Sequence, residues 1–135
     1  MDLSPLMIEK TQESGFYDHA ETGDIIPFLS SKAADSLDLV ISADVWIYVG
    51  DLAEIFPLVA QKLRPRRWFA FSTELLAADN GFQLASSGRF QHSDRYISSL
   101  ATQHGFTISV QEEIVVRKES GEPIAGRVFV LHLQP

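Results

Sequence analysis

The residues best suited to chemistry in this sequence begin directly after an apolar segment. Asp44, Trp46 and Tyr48 follow Leu37–Ser42, a β-rich run without alternation that is typical of a strand buried on both faces. Ligands of open α/β sheets bind beyond the carboxyl ends of such strands, so a carboxylate and two aromatic rings there are suited to bind a substrate. The alternative is structural: Asp44 caps the segment and Trp46 fills the core.

A second group of reactive side chains precedes a predicted helix that begins at Ser93. The segment Gly88–Ser93 contains Arg89 and His92, and Tyr96 follows within one helical turn. Such a segment is suited to bind an acidic substrate, and its histidine to act as a base. The alternative is a solvated or capping histidine. The candidate catalytic residues are Asp44, Tyr48 and His92.

Residue content excludes several kinds of chemistry. The absence of cysteine excludes disulfides, thiolate metal ligands and cysteine nucleophiles. The four histidines show no metal-ligand spacing and no Gly-x-Ser-x-Gly motif is present, so we expect neither a metal site nor a serine hydrolase. A net charge of −7, from 18 acidic and 11 basic side chains, disfavours a nucleic-acid partner, because neutralising phosphates requires a basic face.

Length and composition indicate one globular domain. The 135 residues, 45% of them hydrophobic, fit a single domain over residues 1–135. No apolar stretch approaches the roughly 18 residues of a membrane span. The N-terminus also lacks the basic and apolar regions of a signal peptide. We therefore expect a cytoplasmic protein without a membrane partner.

Helices and strands alternate along the chain and must position the candidate residues. Ser4-Pro5 predicts a capped helix that ends at Gly15. Asp51, with Glu54 three residues on, predicts a second helix. Pro57 lies inside that pattern and is expected to kink the helix, because proline lacks an N–H and crowds the preceding turn. A further buried strand is predicted at Trp68–Ser72, and a helix at Ser93–His104.

The C-terminal part changes to a period of two. Apolar residues alternate with polar ones from Ile108 to Val116, which predicts a half-exposed strand. Turn residues at Ser120–Pro123 lead into a continuous apolar strand at Arg127–Leu131. A half-exposed strand joined to a buried one predicts an edge hairpin that closes a largely parallel sheet, so the fold class is α/β.

These elements resemble, in order and in local residues, the C-terminal part of a class I S-adenosylmethionine-dependent methyltransferase. Within that superfamily the chain is most similar to bacterial methyltransferases found with tetratricopeptide repeats. The resemblance implies a Rossmann-like fold with a mostly parallel sheet and an antiparallel C-terminal hairpin strand. It also implies methyl transfer from S-adenosylmethionine to an unidentified acceptor. The segments that carry the resemblance are Asp2–Met7, Gly23–Phe28, Leu37–Asp44, Leu63–Phe69 and Gly105–Leu133.

The resemblance implies a set of cofactor contacts. Asp2 would accept hydrogen bonds from the two ribose hydroxyls, and Met7 would line the adenine side. Asp24 and Ile25 would meet the adenine edge, and Ala43 would complete the cofactor-binding set. The alternatives are a frayed end for Asp2, a core position for Met7 and an ordinary turn at Asp24.

Two departures from the family pattern carry further expectations. The first strand and the glycine-rich loop of the family are absent from the sequence, so we expect an incomplete, N-terminally truncated fold that alone binds cofactor poorly and is inactive. The alternative function is a non-catalytic interaction module or a truncated gene product. Loss of that strand would leave Leu37–Ser42 as an unpaired edge through which two copies form a homodimer.

The second departure is a turn. The family has two glycines after the equivalent of Leu63-Arg64-Pro65, where this chain has Arg66-Arg67. If the turn keeps the family geometry, at least one of these arginines adopts the positive φ that favours glycine.

Overall fold

A computed structural model describes all 135 residues, which form two compact units, residues 1–33 and residues 34–135. That these units make up the single domain expected from the sequence stays a prediction. No helix is long and apolar enough to cross a membrane.

The first unit contains two short helices, α1 (Pro5–Ser14) and α2 (Ile25–Ser31). The predicted capping of α1 is confirmed: the Ser4 Oγ accepts a hydrogen bond from the Met7 N–H at 3.4 Å, and Gly15 closes the helix at a φ of 69°. Asp2 and Thr22 pair in a short parallel bridge. α1 begins shortly after Asp2, and α2 begins shortly after Thr22.

The second unit is built on a four-stranded sheet. The strand order is β1 (Leu37–Ser42), β2 (Leu63–Glu74), β6 (Glu122–Leu133) and β5 (Phe106–Glu119). β1 runs parallel to β2, and β6 runs antiparallel to both β2 and β5. Three of the four strands therefore point the same way and the C-terminal strand is reversed, which confirms the predicted fold class and hairpin.

Smaller elements connect these strands. A 3-10 turn (Trp46–Tyr48) and α3 (Ile55–Lys62) lie between β1 and β2. Between β2 and β5 come β3 (Phe82–Leu84), β4 (Phe90–His92) and α4 (Asp94–Gln103). β3 and β4 pair as a separate antiparallel hairpin, so Gly88–Ser93 includes a strand that was not predicted from the sequence.

The core lies on one face of the sheet. Phe69, Phe71 and Phe129 are at most 3% exposed, and Phe56 of α3 packs edge-on against the first two rings. Stacking of Phe71 on Phe129, with centroids 5.3 Å apart, joins β2 to β6. This face is a close-packed aromatic layer.

The opposite face of the sheet is open. Leu39 is paired with Trp68, and Ile41 with Ala70. Leu39, Ile41 and Trp68 are 49%, 68% and 39% exposed. The burial of both faces that we expected for Leu37–Ser42 is therefore wrong, because β1 is an edge strand with one uncovered face.

The helix predicted to follow Asp51 begins later. α3 starts at Ile55 with Glu54 at its N-cap, so Pro57 lies in the first turn. A proline there loses no helical hydrogen bond, since the first N–H groups have no intrahelical partner. The helix-interior position that would cause the kink expected at Pro57 is therefore not found.

Candidate functional site

The first candidate residues lie on the segment that leaves the carboxyl end of β1. Asp44 adopts a φ of 54°, which a short polar side chain tolerates, and its N–H donates to the Ser72 Oγ at 3.3 Å. Its side chain and that of Tyr48 are both exposed, Tyr48 to 66%. The same segment thus presents a carboxylate and a phenol to solvent at this edge of the sheet.

Trp46, on the same segment, has the structural position that was the alternative from the sequence. It is 1% exposed, and its ring meets Phe69 and Phe71 edge-on at 6.3 and 6.4 Å. Because the indole is buried in the aromatic core, it anchors the segment rather than facing a substrate.

His92 is enclosed instead of lining a surface. It is 1% exposed, and its Nε2 lies 3.0 Å from the Val49 carbonyl oxygen and 2.9 Å from that of Gly50. Carbonyl oxygens only accept, so the Nε2 carries the proton. Burial lowers the pKa of His92, although the hydrogen bonds to Gly50 and Val49 oppose this effect. The geometry favours a structural role, and the catalytic role of His92 stays a prediction.

Tyr96 and Asp51 extend this hydrogen-bonded group. The Tyr96 hydroxyl accepts from the Leu52 N–H and donates to the Asp51 Oδ1, each at 2.8 Å. Burial raises the pKa of Tyr96 to about 12. The Ala53 N–H and the Tyr96 hydroxyl lower the pKa of Asp51. From the sequence we assigned Asp51 to a helix cap, because nothing in its neighbourhood indicates a partner 45 residues away.

Sequence reasoning also missed the ion pairs made by Arg117 of β5 and Arg127 of β6. Glu74, 2% exposed, accepts from Arg117 at 3.1 Å and from Gln91 at 3.2 Å. Arg127 donates to both carboxylate oxygens of Asp94. A shallow cavity of about 400 Å³ borders the Arg127 pair and is lined by Leu75–Asp79 and by the first turn of α4.

In the first unit the fold brings Asp2 and Asp24 to the same edge. The Gly23 N–H donates to the Asp2 carbonyl at 2.9 Å, and the Asp2 Oδ1 accepts from the Ser4 N–H at 2.8 Å. Asp2 is therefore held in place and not frayed. Asp24 is exposed and makes no capping hydrogen bond with its side chain.

The remaining predicted cofactor residues are distributed over both units. Met7 is 49% exposed, which contradicts its alternative reading as a core methionine, and Ile25 is half-buried. Ala43 is exposed and belongs to the second unit. The cofactor contacts of these residues stay predictions.

The chain is similar to solved methyltransferase structures. An S-adenosylmethionine-dependent methyltransferase from Methanosarcina mazei has a TM-score of 0.71 at 13% identity, over 98% of this chain and 80% of that chain. One from Mesorhizobium loti has a TM-score of 0.67 at 22% identity, over 96% and 77%.

A Burkholderia thailandensis enzyme is solved with its ligands. This 1,6-didemethyltoxoflavin-N1-methyltransferase, with bound 1,6-didemethyltoxoflavin and S-adenosylhomocysteine, has a TM-score of 0.70 at 10% identity, over 94% of this chain and 57% of that chain. No protein-family model and no curated protein matches the sequence. At these identities the likeness concerns the fold.

Proposed function

Because the chain has the fold of class I S-adenosylmethionine-dependent methyltransferases, we propose that it functions in methyl transfer from this cofactor to an acceptor. The observation that carries the proposal is the structural match over 94–98% of the chain with three such enzymes. When bound, the cofactor supplies an electrophilic methyl group on a sulfonium. The protein's contribution is to hold the cofactor and align the acceptor with it.

The cofactor side of this proposal rests on the first unit. One Asp2 carboxylate oxygen is bonded to the Ser4 N–H, and its second oxygen has no partner within the chain, which suits a ribose hydroxyl. Asp24 offers a second carboxylate without a capping bond. Met7 and Ile25 add apolar surface suited to an adenine ring. Ala43 is proposed as a further cofactor contact in the second unit.

The acceptor side rests on Asp44 and Tyr48. Methylation of an O–H or N–H acceptor releases one proton, and an exposed carboxylate such as Asp44 is suited to take it or to orient the acceptor. The exposed ring of Tyr48 offers a flat apolar contact. His92 is enclosed and bonded to two carbonyls, so in this proposal it does not touch the acceptor.

Calorimetric titration with S-adenosylhomocysteine tests the cofactor side. We expect weak but saturable binding, with a Kd above the micromolar range, because residues 1–135 contain no glycine-rich loop. Asp2→Ala should weaken this binding about tenfold, the effect of one charge-assisted hydrogen bond. Asp44→Ala, the matched control on the acceptor side, should leave it unchanged. Absence of saturable binding at millimolar ligand would contradict the proposal, and micromolar affinity would contradict the expected weakness.

A second candidate function, a non-catalytic interaction module, is favoured by β1. This strand pairs only with β2, so its outer row of backbone N–H and C=O groups is unpaired. The Asp38 carboxylate accepts from Arg64 at 2.6 Å and from Arg67 at 2.9 Å, and these bonds lower its pKa. No uncompensated charge therefore blunts the edge, and such edges recruit other strands.

The occupant we infer for this edge is a second copy of the chain. Two β1 strands that pair antiparallel about a two-fold axis at Val40 place Leu39 of one copy opposite Ile41 of the other. This pairing would bring two of the most exposed apolar side chains of the sheet into contact across the interface. The outer edge at β5 is less suitable, because it has two register shifts and exposed Glu112 and Lys118.

Sedimentation velocity tests this assembly. The wild type should sediment as a dimer, and Val40→Lys should yield monomer or aggregate, because a charge then lies at the centre of the pairing. Leu84→Lys is the matched control, since Leu84 is 56% exposed but lies on β3, outside the main sheet. A wild type that stays a monomer of 15.1 kDa would contradict the assembly.

A further inference from the structure

Each residue of the segment Val49–Leu52, which we call the anchored segment, is bonded to a side chain from β4 or α4. His92 contacts the carbonyl oxygens of Val49 and Gly50, and Tyr96 contacts Asp51 and the Leu52 N–H. These bonds span 42 to 45 residues of sequence. The anchored segment directly follows the turn that carries Tyr48.

Packing around Gly50 adds a steric constraint. A Cβ at this position would lie 2.6 Å from Phe90 Cε1 and 2.9 Å from Phe82 Cε2. The β3–β4 hairpin therefore presses on the backbone of the anchored segment from the side, while His92 and Tyr96 bond to it. A side chain larger than hydrogen at Gly50 would separate the segment from the hairpin.

We propose that His92 is a positioning residue, whose neutral imidazole with its proton on Nε2 fixes the anchored segment and through it Tyr48. The Nε2–H is shared between two carbonyl oxygens that have no other donor from a side chain. Tyr48 and Val49 are tied to Val45 and Trp46 by backbone bonds of 3.0 Å, so displacement of Val49 is transmitted to Tyr48.

Protonation of His92 is incompatible with this arrangement. The Nδ1 is buried and has no hydrogen-bond partner, so a second proton there would be an unpaired donor on a buried cation. The aromatic rings that face His92 are Phe82, from β3, and Tyr96, from α4, neither of which is charged near neutral pH. On β2, the buried Glu74 is bonded to Arg117 and Gln91 and not to His92. Asp51 is the nearest carboxylate on the anchored segment, and it bonds to Tyr96 and not to His92. We therefore expect the anchored segment to loosen in acid.

Nitrogen-15 NMR of the histidine rings tests the protonation state in the wild type without any ligand. His92 should show a proton on Nε2 and none on Nδ1, and it should remain neutral below the usual histidine pKa of about 6.5. A proton on Nδ1 at neutral pH, or protonation of His92 at the usual histidine pKa, would overturn the proposal.

Amide hydrogen exchange tests the positioning itself. His92→Leu removes the donor at similar volume and should accelerate exchange of the Tyr48 and Val49 amides about tenfold, the effect expected for losing a buried hydrogen bond. His92→Gln retains a terminal N–H donor and should restore protection. Exchange in folded His92→Leu equal to that of the wild type would overturn the proposal. If this variant does not fold, His92→Gln and the wild-type ring nitrogens decide the question.

The relevance of Tyr48 to an acceptor rests on the proposed methyltransferase function. The two measurements above use neither cofactor nor acceptor, so their outcome is independent of that function. Titration with S-adenosylhomocysteine could therefore fail while the anchored segment behaves as proposed, and the reverse result is equally distinguishable.

Discussion

Arg66 occupies a backbone conformation that glycine adopts more readily. Its φ of 65° confirms the strained turn predicted from the Arg66-Arg67 pair, and the strain falls on Arg66 alone. Replacing it by glycine should stabilise the protein by about 1 kcal/mol, which corresponds to a rise in Tm of about 3–5 °C for a chain of this size.

Thermal unfolding followed by circular dichroism checks this prediction, and Arg67 supplies the control. Arg67 has no positive φ, and its Nε donates to the Asp38 Oδ1 at 2.9 Å. Arg67→Gly should therefore not raise Tm, because it loses an exposed ion pair without relieving strain. A Tm of Arg66→Gly equal to or below that of the wild type would show that the turn carries no strain.

His92 should make stability depend on pH. Burial lowers its pKa in the folded protein, so between its usual pKa near 6.5 and that lower value the unfolded chain binds a proton that the folded chain does not. The contribution of neutral His92 to the free energy of unfolding is complete above pH about 6.5. It decreases as the pH falls, with a slope of at most about 1.4 kcal/mol per pH unit.

Denaturant unfolding at a series of pH values between neutrality and pH about 5 measures this slope. His92→Gln keeps a donor but does not titrate, so its stability should fall less steeply with acid than that of the wild type. Parallel curves for the two proteins would contradict the prediction. Carboxylates titrate in both, so their contribution cancels in the comparison.

Local chemistry was predictable where its signal is local. The Ser93 cap of α4 and the positive φ in the Arg66 turn follow from residues next to one another in sequence, and both are found. The partners of His92 lie 42 and 43 residues away, so neither its tautomer nor its burial has a sequence signal. Tertiary packing decides such positions.

At the scale of elements, β2 and β6 approach one another at Gly126. A Cβ there would overlap the Val116 side chain and lie 2.5 Å from the carbonyl oxygen of Thr73. The backbone of a central strand cannot shift without breaking its ladder, so Gly126→Ala should cost about 2–4 kcal/mol. Chemical denaturation measures the loss.

Gly121 is the matched control for Gly126. It lies in the turn between β5 and β6, where a Cβ would meet nothing within 4 Å. Gly121 has a φ of 85°, so Gly121→Ala should cost only the smaller conformational penalty of about 1 kcal/mol. Equal losses for the two variants would show that close packing at Gly126 is not the cause.

The strongly patterned elements were predictable, and the weakly patterned ones were not. The alternation after Gly105 and the apolar run at Arg127–Leu131 predict the hairpin that is found. β3 and β4 have three residues each and are too short for a periodic signal. α3 begins later than predicted. The apolar period also includes Leu52, which is buried like the apolar residues of α3 but lies in the turn before the helix.

For the second unit as a whole, one face of the sheet is covered and the other is not. Phe69 and Phe71 are buried, whereas the alternate residue Trp68 and its neighbours Leu39 and Ile41 are exposed. The apolar face of β1, with Leu37, Leu39 and Ile41, is the uncovered one, whereas the core-facing alternate residues are Asp38, Val40 and Ser42. Sequence pattern therefore predicts a more complete burial than residues 34–135 provide.

That excess of apolar surface predicts a stability that depends on protein concentration. If a second copy pairs with β1, dimerisation is linked to folding and Tm should rise by a few degrees for each tenfold increase in concentration. Scanning calorimetry over two decades of concentration measures the shift, and Val40→Lys should show none because its edge cannot pair. Leu84→Lys should retain the dependence. A wild-type Tm that is constant over this range would mean that the edge of β1 stays unpaired, and the interaction-module function would then lose its support.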